Sequence, residues 1–190
     1  MDDGAADVVG IVLAAGAGRR FGRPKALVEY RGDRLVDRAV RLLRDGGCNR
    51  VLVVAGAAPL SVDDATVVDN PGWAEGMGSS VRVGLTAAGK AGTAGAAVLV
   101  PVDTPFLGAD AVRRLISAYR GGATVVTATY GGKRGHPVLL GAEHWAAVAA
   151  TAVGDVGARA FLAANRGLIT PVACDDTGRP DDVDTPDALV

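Results

Sequence analysis

The chain has 190 residues and a formal net charge of -1 from 20 basic and 21 acidic side chains, so it lacks the broad cationic excess of a nucleic-acid or anionic-membrane binder. Aromatic residues make up only 4 % while Ala, Val, Leu and Gly are abundant, which predicts a finely packed aliphatic core in one domain spanning residues 1–190. The acidic opening MDDGAAD lacks the basic start and apolar centre of a signal peptide, and no apolar run reaches the roughly 18 residues of a membrane span. A soluble, cytoplasmic protein with no nucleic-acid or membrane partner is expected, residues 1–7 forming a flexible tail. Cys48 and Cys174 stand far apart with no Cys-x-x-Cys pair, and they read as reduced structural thiols.

In chain order, short apolar runs alternate with segments of helical period, the pattern of a mainly parallel sheet covered by helices. Strands are predicted at Val8–Leu13, Val51–Val54, Thr66–Val68, Ala97–Val102, Ala123–Thr129, Pro137–Leu140 and Ile169–Val172. Helices are predicted at Leu35–Arg44, Ser80–Ala88, Ala109–Tyr119, Ala142–Ala150 and Ala158–Asn165. The Gly131-Gly132-Lys133-Arg134-Gly135 stretch is rich in turn formers and reads as a hairpin, giving the sheet one antiparallel element. The fold class that follows is α/β, a Rossmann-like three-layer sandwich.

The stretch after the first predicted strand, Ile11 to Leu27, concentrates three glycines and four basic residues. Gly16, Gly18 and Gly22 are spaced G-x-G-x-x-x-G, one residue longer than the dinucleotide fingerprint. Lys25 is followed by Ala26 where a Walker A loop needs Ser or Thr. A second glycine–lysine run, Gly84 to Ala91, has Walker-like spacing but follows a helical segment and offers no hydroxyl for Mg²⁺, so it reads as helix end and turn.

The sequence Leu13-Ala14-Ala15-Gly16-Ala17-Gly18-Arg19-Arg20-Phe21-Gly22-Arg23-Pro24-Lys25 resembles the signature L-A-A/G-G-x-S/G-x-R-M/F-G-x-x-K of nucleotidyltransferases related to molybdenum cofactor biosynthesis. Gly18 stands where many members have Ser. The residue types make physical sense for that role. Glycines let backbone N–H groups close on phosphate oxygens, and Arg20 and Lys25 supply charge for a triphosphate.

The resemblance continues along the chain. Val98-Leu-Val-Pro-Val-Asp103-Thr-Pro is similar to the family segment whose Asp holds a metal on the nucleotide phosphates, and hard oxygen ligands suit Mg²⁺. Asp182-Val183-Asp184-Thr185-Pro186 is similar to the family's D-x-D-T-P ending, which implies Asp184 as a second metal ligand. Helix capping is the competing reading for both Asp103 and Asp184. The run Asn70-Pro-Gly-Trp73-Ala-Glu-Gly76-Met77-Gly78-Ser79-Ser80 resembles a family segment beside the nucleotide. Gly78, Ser79 and Ser80 therefore read as nucleotide contacts or as a helix cap, and Trp73 as a stacking or a filling residue. On the acceptor side, Gly135-His136-Pro137 and Gly154-Asp155-Val156-Gly157-Ala158-Arg159 look like the family's G-H-P and G-D-x-G-A-R segments. They imply His136, Asp155 and Arg159 near the acceptor, against structural roles at a strand end, a cap and an ion pair.

The implied fold is the nucleotide-diphospho-sugar transferase type and the implied activity is Mg²⁺-dependent nucleotidyl transfer. An acceptor phosphate attacks the α-phosphorus of a nucleoside triphosphate and pyrophosphate leaves. The Leu-Ala-Ala-Gly start, where guanylyl-transferring relatives more usually read Leu-Ala-Gly-Gly, is most similar to molybdenum cofactor cytidylyltransferases. That likeness implies CTP and a molybdopterin-type acceptor, with Leu13, Ala14 and Ala15 beside the nucleotide and handover of product to a molybdoenzyme or its chaperone. Two alternatives stand: transfer to another phosphorylated acceptor, such as guanylyl transfer or a sugar phosphate, and a nicotinamide-dependent reductase like the similar sequences called nicotine blue oxidoreductase. The glycine spacing and the lack of a ribose-binding acid weigh against the reductase. The intact Arg20, Lys25 and Asp103 weigh against a catalytically idle nucleotide-binding module.

Overall fold

The computed structural model describes residues 7–90 and 92–189. The tail expected at residues 1–7 therefore lies outside the described residues except for Asp7, as does Ala91 of the second glycine–lysine run. The strands are β1 (Asp7–Leu13), β2 (Glu29–Tyr30), β3 (Asp33–Arg34), β4 (Arg50–Ala55), β5 (Thr66–Asp69), β6 (Ala94–Pro101), β7 (Val125–Tyr130), β8 (Lys133–Gly141) and β9 (Ile169–Ala173). The helices are α1 (Leu35–Asp45), α2 (Met77–Lys90), α3 (Ala109–Arg120), α4 (Trp145–Thr151) and α5 (Arg159–Ala164). None of the described helices is long and apolar enough to cross a membrane.

Seven strands form one sheet in the order β5-β4-β1-β6-β8-β7-β9, and β2 pairs with β3 in a separate small ribbon. β8 runs antiparallel to both β6 and β7, while the remaining pairings in the large sheet are parallel. β1 is buried on both faces from Val8 to Leu13, which is why it reads as a continuous apolar run and not as an alternation. One face packs against α1 and α3 through Val36, Val40, Val112 and Leu115. The other packs against α2, α4 and α5 through Val81, Leu85, Val148 and Phe161. The result is the expected three-layer α/β/α sandwich, with Cys48 and Cys174 as buried free thiols.

The departures from the sequence reading have local causes. β1 begins at Asp7, because Asp7 pairs with Ala94 of β6. α2 runs back to Met77 and forward to Lys90, so Gly84 is an interior helix residue pressed against Ile11 and the second glycine–lysine run forms no phosphate loop. The β7–β8 turn is tighter than expected. Gly131 and Gly132 have φ of 56° and 73°, the conformation of a two-residue hairpin turn, which places Lys133, Arg134, Gly135 and His136 in β8 itself. The segment beginning at Ala142 opens as a 3-10 turn, Ala142–His144, before α4 starts at Trp145. Pro101 ends β6, where its missing N–H breaks no pairing with β8, whose register stops at Leu99↔Val138.

Register positions the functional edge. Parallel pairing brings Leu13 of β1 level with Pro101 of β6, so the loops that follow these two strands leave the same edge of the sheet. The chain runs outward from β1 through β4 and β5 on one side and continues from β6 on the other, making the β1–β6 boundary the switch point where open α/β sheets form crevices.

Close helix–sheet packing at this point depends on Gly10. A methyl group there would stand 2.8 Å from Leu43 Cδ1 of α1. Gly10→Val is expected to push α1 off the sheet and to destabilise the protein by about 1–3 kcal/mol, read as a lower urea midpoint with an unchanged slope.

Candidate active site

The loop after β1 is shaped by its glycines. Gly18 has φ of 60°, its carbonyl accepts hydrogen bonds from Phe21 and Gly22 N–H at 2.9 Å each, and a Cβ added there would collide with the Arg23 carbonyl. The serine common at this position in the resembled family has no room here. Gly16 has open space around it and lines the cleft. The loop turns back through a 3-10 turn at Lys25–Leu27, which aims Lys25 across the sheet edge.

Asp103 lies two residues beyond the end of β6, and the chain's C-terminal segment comes to meet it. Thr177 N–H donates to the Cys174 carbonyl and Arg179 N–H to the Phe106 carbonyl, while the Arg179 guanidinium lies 4.4 Å from the Phe106 ring centroid. Val183 is then fully buried in the core beside α3 and its N–H donates to the Asp103 carbonyl at 2.8 Å. Burying Val183 leaves Asp182 and Asp184 on either side, and each can bring a carboxylate oxygen into a group with Asp103 whose members lie within 4.8 Å of one another.

Lys25 Nζ donates to Asp103 Oδ2 at 2.9 Å and to Asp184 Oδ1 at 2.7 Å. The Lys25 side chain is only 15 % exposed, so this bridge is largely shielded from water. Burial opposes the Lys25 charge, but the hydrogen bonds and charges of Asp184 and Asp103 outweigh it and hold the ammonium above its ordinary pKa. The hydrogen bond from Lys25 leads in holding the Asp184 carboxyl below its usual range, against a smaller desolvation. Arg20 Nη1 lies 3.0 Å from Asp184 Oδ2 with a side chain 75 % exposed, a solvent-screened contact of modest worth. Asp103 is not the cap of α3, whose N-cap is Gly108 with no side-chain cap bond, and Asp184 is engaged by Lys25 and Arg20.

Three cavities meet here, all lined in part by Leu13 and Met77. The central one, about 260 Å³, holds Gly16, Gly18, Arg19, Arg20, Lys25, Asp103 and Asp184. A second, about 390 Å³, is walled by Ala15, Gly16, Trp73, Gly76, Ser80 and Asp155 at the N-terminus of α2. The third and largest, about 590 Å³, is walled by Thr127, Arg134, His136, Asp155 and Arg159 over an apolar floor. Its His136 Nδ1 is buried without a hydrogen-bond partner, and burial holds that ring below the ordinary histidine pKa against the raising charge of Asp103.

Most of the residues singled out from sequence therefore converge, with three exceptions. Ala14 is buried in the core facing α1 and α3. Gly78 is packed against the Ala152 carbonyl. Ser79 is buried, its hydroxyl donating to the Gly76 carbonyl at 2.9 Å and accepting from Asn70 Nδ2. The same Asn70 amide donates to Ser80 Oγ at 3.1 Å, and Ser80 alone of the three reaches the cavity. Trp73 lines that cavity and also packs against Gly56. Asp155 stands between the second and third cavities, against Gly76. Sequence reasoning passed over Asp182, Met77, Thr127, Lys133 and Arg134. The signal for Asp182 was its place two residues before Asp184; for Lys133 and Arg134 it was two cations beside His136. Nothing in the local pattern marks Met77 or Thr127.

The MobA-like NTP transferase domain matches residues 10–168 of the chain. The chain belongs to the MobA-like NTP transferase family. Nicotine blue oxidoreductase of Paenarthrobacter nicotinovorans is 39 % identical to this MobA-like protein over 94 % of the chain and 92 % of the relative. The probable molybdenum cofactor guanylyltransferase of Opitutus terrae is 38 % identical, over 56 % of this chain and 53 % of that relative. Solved structures of Rv0371c from Mycobacterium tuberculosis H37Rv, the second a complex with manganese, align with TM-scores of 0.82 and 0.78 at 28 % and 26 % identity, covering 96 % and 95 % of this chain and 95 % of each of theirs. The architecture is the nucleotide-diphospho-sugar transferase type, and the chain is a nucleotidyltransferase of the MobA-like kind.

The Lys25 bridge sets a pH signature. Lys25→Met leaves the carboxylates facing one another without their shared cation, so the variant is expected to be less stable than the parent at neutral pH. A depressed Asp184 pKa contributes stability that is present above the unfolded value of about 3.9 and lost as pH falls through the folded one; a raised Lys25 pKa contributes stability present below about 10.4 and lost above the folded value. The stability gap between parent and variant should therefore be flat through neutral pH and narrow at both extremes, measured by urea unfolding across pH.

Proposed function

We propose that this protein transfers a nucleotidyl group from a nucleoside triphosphate, CTP in preference to GTP, to the phosphate of a molybdopterin-type acceptor with release of pyrophosphate. The observation that carries the reading is Lys25 Nζ at 2.9 and 2.7 Å from carboxylates 78 and 159 residues away in sequence, beside a glycine loop at the sheet's switch point. In this arrangement the 390 Å³ cavity takes the base, the central cleft the triphosphate, and the 590 Å³ cavity the acceptor.

Three carboxylates within 4.8 Å of one another, two of them bonded to a lysine ammonium, are a site selective for positive charge, and their hard oxygens fit Mg²⁺ or Mn²⁺. Asp103, Asp182 and Asp184 would hold the ion, which supplies charge neutralisation on the triphosphate. The chain's own groups do the rest. Backbone N–H groups of the loop from Gly16 onward cradle phosphate oxygens, Lys25 bears on the α-phosphate, and Arg20 faces the departing pyrophosphate. A phosphomonoester acceptor carries about -1.5 to -2 charge at pH 7, so it attacks without a general base, and catalysis comes from alignment and charge. Asp103→Asn is expected to leave the fold intact and lower pyrophosphate release about 100-fold or more, measured with Mg²⁺, CTP and isolated molybdopterin.

Base choice is supported by Ala15, which lines the base cavity at a position where guanylyl-transferring relatives more usually have glycine. A wall that fits a pyrimidine excludes the larger purine, and a wrongly paired base leaves buried polar groups unmatched at about 1–3 kcal/mol each. The expected kcat/KM for CTP exceeds that for GTP by about tenfold or more, and Ala15→Gly narrows the ratio. Equal values in the parent would refute the cytidylyl reading and leave nucleotidyl transfer intact.

A second reading, reduction like that of the nicotine blue relative, is favoured by 39 % identity over nearly the whole chain. Hydride transfer from a nicotinamide has no step that needs the carboxylate group. NADPH oxidation that persists in Asp103→Asn, with no pyrophosphate released by the parent protein from any triphosphate, would select it.

A further inference from the structure

We infer that Thr127 is a specificity residue of the acceptor cavity, where with His136 it reads the polar edge of a flat, fused heterocycle whose faces pack between apolar walls. This deepens the proposed function and rests on its assignment of the largest cavity to the acceptor.

Unpartnered polar atoms are the starting observation. Thr127 is 1 % exposed, yet its Oγ1 has no hydrogen-bond partner, and the same holds for His136 Nδ1. Arg38 Nε and Arg50 Nη2 are also unpartnered but belong to residues outside the lining of this cavity, whereas three other buried polar side chains are bonded. Thr104 donates to the Pro101 carbonyl at 2.8 Å, Thr177 to the Cys174 carbonyl at 2.8 Å, and Asn70 to both Ser79 and Ser80. Buried groups left unmatched in a native protein call for an explanation, and Thr127 and His136 both sit in the wall of one cavity.

The strand geometry puts them there together. Thr127 of β7 pairs with Val138 of β8 and shares its face of the sheet, and His136, from the stretch of β8 where the register with β7 shifts, lines the same cavity as both. That face carries Val125, Val138 and Leu140 against α2, α4 and α5. Thr127 thus replaces an aliphatic residue in an apolar stripe, at a point where the helices leave a cavity and do not cover the sheet.

The rest of the lining defines the ligand. Met77, Val81, Leu99, Val138 and Leu162 make it largely apolar, so a sugar, with hydroxyls on every side, would have most of them stripped of water without partners. A flat ring places its faces on these side chains and its polar edge on Thr127 and His136. A hydroxyl donates and accepts, and a neutral imidazole nitrogen does one or the other, so the pair matches an edge with neighbouring donor and acceptor atoms. Lys133, Arg134 and Arg159 at the margin suit an anionic substituent on the ring.

The test separates structure from recognition. 6-Carboxypterin, a fluorescent fused heterocycle with one anionic substituent, is titrated into the parent protein, Thr127→Val, His136→Leu and His136→Asn, with CTP binding and Tm measured alongside. Replacing an unpaired buried hydroxyl by a methyl group should not lower Tm. Saturable binding by the parent, a Kd raised about tenfold or more in Thr127→Val and His136→Leu but within about threefold in His136→Asn, and an unchanged CTP Kd are expected. The inference is overturned by absence of saturable pterin binding, by an unchanged Kd in Thr127→Val, or by a fall in its Tm, which would give the hydroxyl a structural role. Pyrophosphate release from CTP and molybdopterin is read separately. Transfer with an unaltered acceptor KM in Thr127→Val overturns the inference alone, and pterin binding without transfer to any phosphorylated acceptor overturns only the proposed function.

Discussion

The site is organised by one shielded lysine held between two carboxylates. Lys25, Asp103 and Asp184 come from a loop near the start of the chain, a strand end in its middle and a segment near its end. Each carboxylate would repel the other, and the lysine would lose hydration for nothing if it were buried alone. Together the charges offset those costs, so the geometry of the three is over-determined. Much of the surrounding structure serves to deliver them. Gly18 takes a conformation open to few other residues, Val183 fills a core position so that its neighbours face the cleft, and Arg179 pins the returning chain on Phe106.

The sheet supplies the frame on which this arrangement is built. Because β1 and β6 are parallel neighbours in register, their following loops cannot avoid one another. Because the helices on one face, α2, α4 and α5, approach this edge without closing it, space remains on both sides of the central cleft. Leu13 and Met77 border all three compartments, so the two outer cavities adjoin the central cleft at these residues. Asp155, an exposed residue, lines both outer cavities.

Polar groups in this molecule divide by whether the fold itself satisfies them. Asn70, Ser79 and Ser80 form a closed set that ties the loop after β5 to the start of α2. That explains their sequence pattern as architecture for two of the three positions, with Ser80 alone facing the cavity. Thr127 and His136 present the reverse case, buried atoms that the protein does not match.

By itself the sequence determined the layered α/β architecture, the one antiparallel strand of the large sheet, the loop that carries Lys25, and the strand-end position of Asp103. These are local properties, written in hydrophobic period, glycine placement and turn chemistry within windows of ten or twenty residues. Its limits were also local. A helix whose first turn reads Met-Gly-Ser-Ser looks like a ligand loop until Asn70 is seen to donate to both serine hydroxyls and Ser79 to donate to the Gly76 carbonyl, and two glycines of positive φ shorten a turn so that Lys133 and Arg134 become strand residues. Only the tertiary structure decided that Asp182 joins Asp103 and Asp184, that Lys25 bridges two carboxylates, and that Thr127 stands unpaired in a cavity wall. Each of those facts depends on which strands are neighbours and how far a helix stops short of the sheet, quantities that the long-range packing of the whole chain sets.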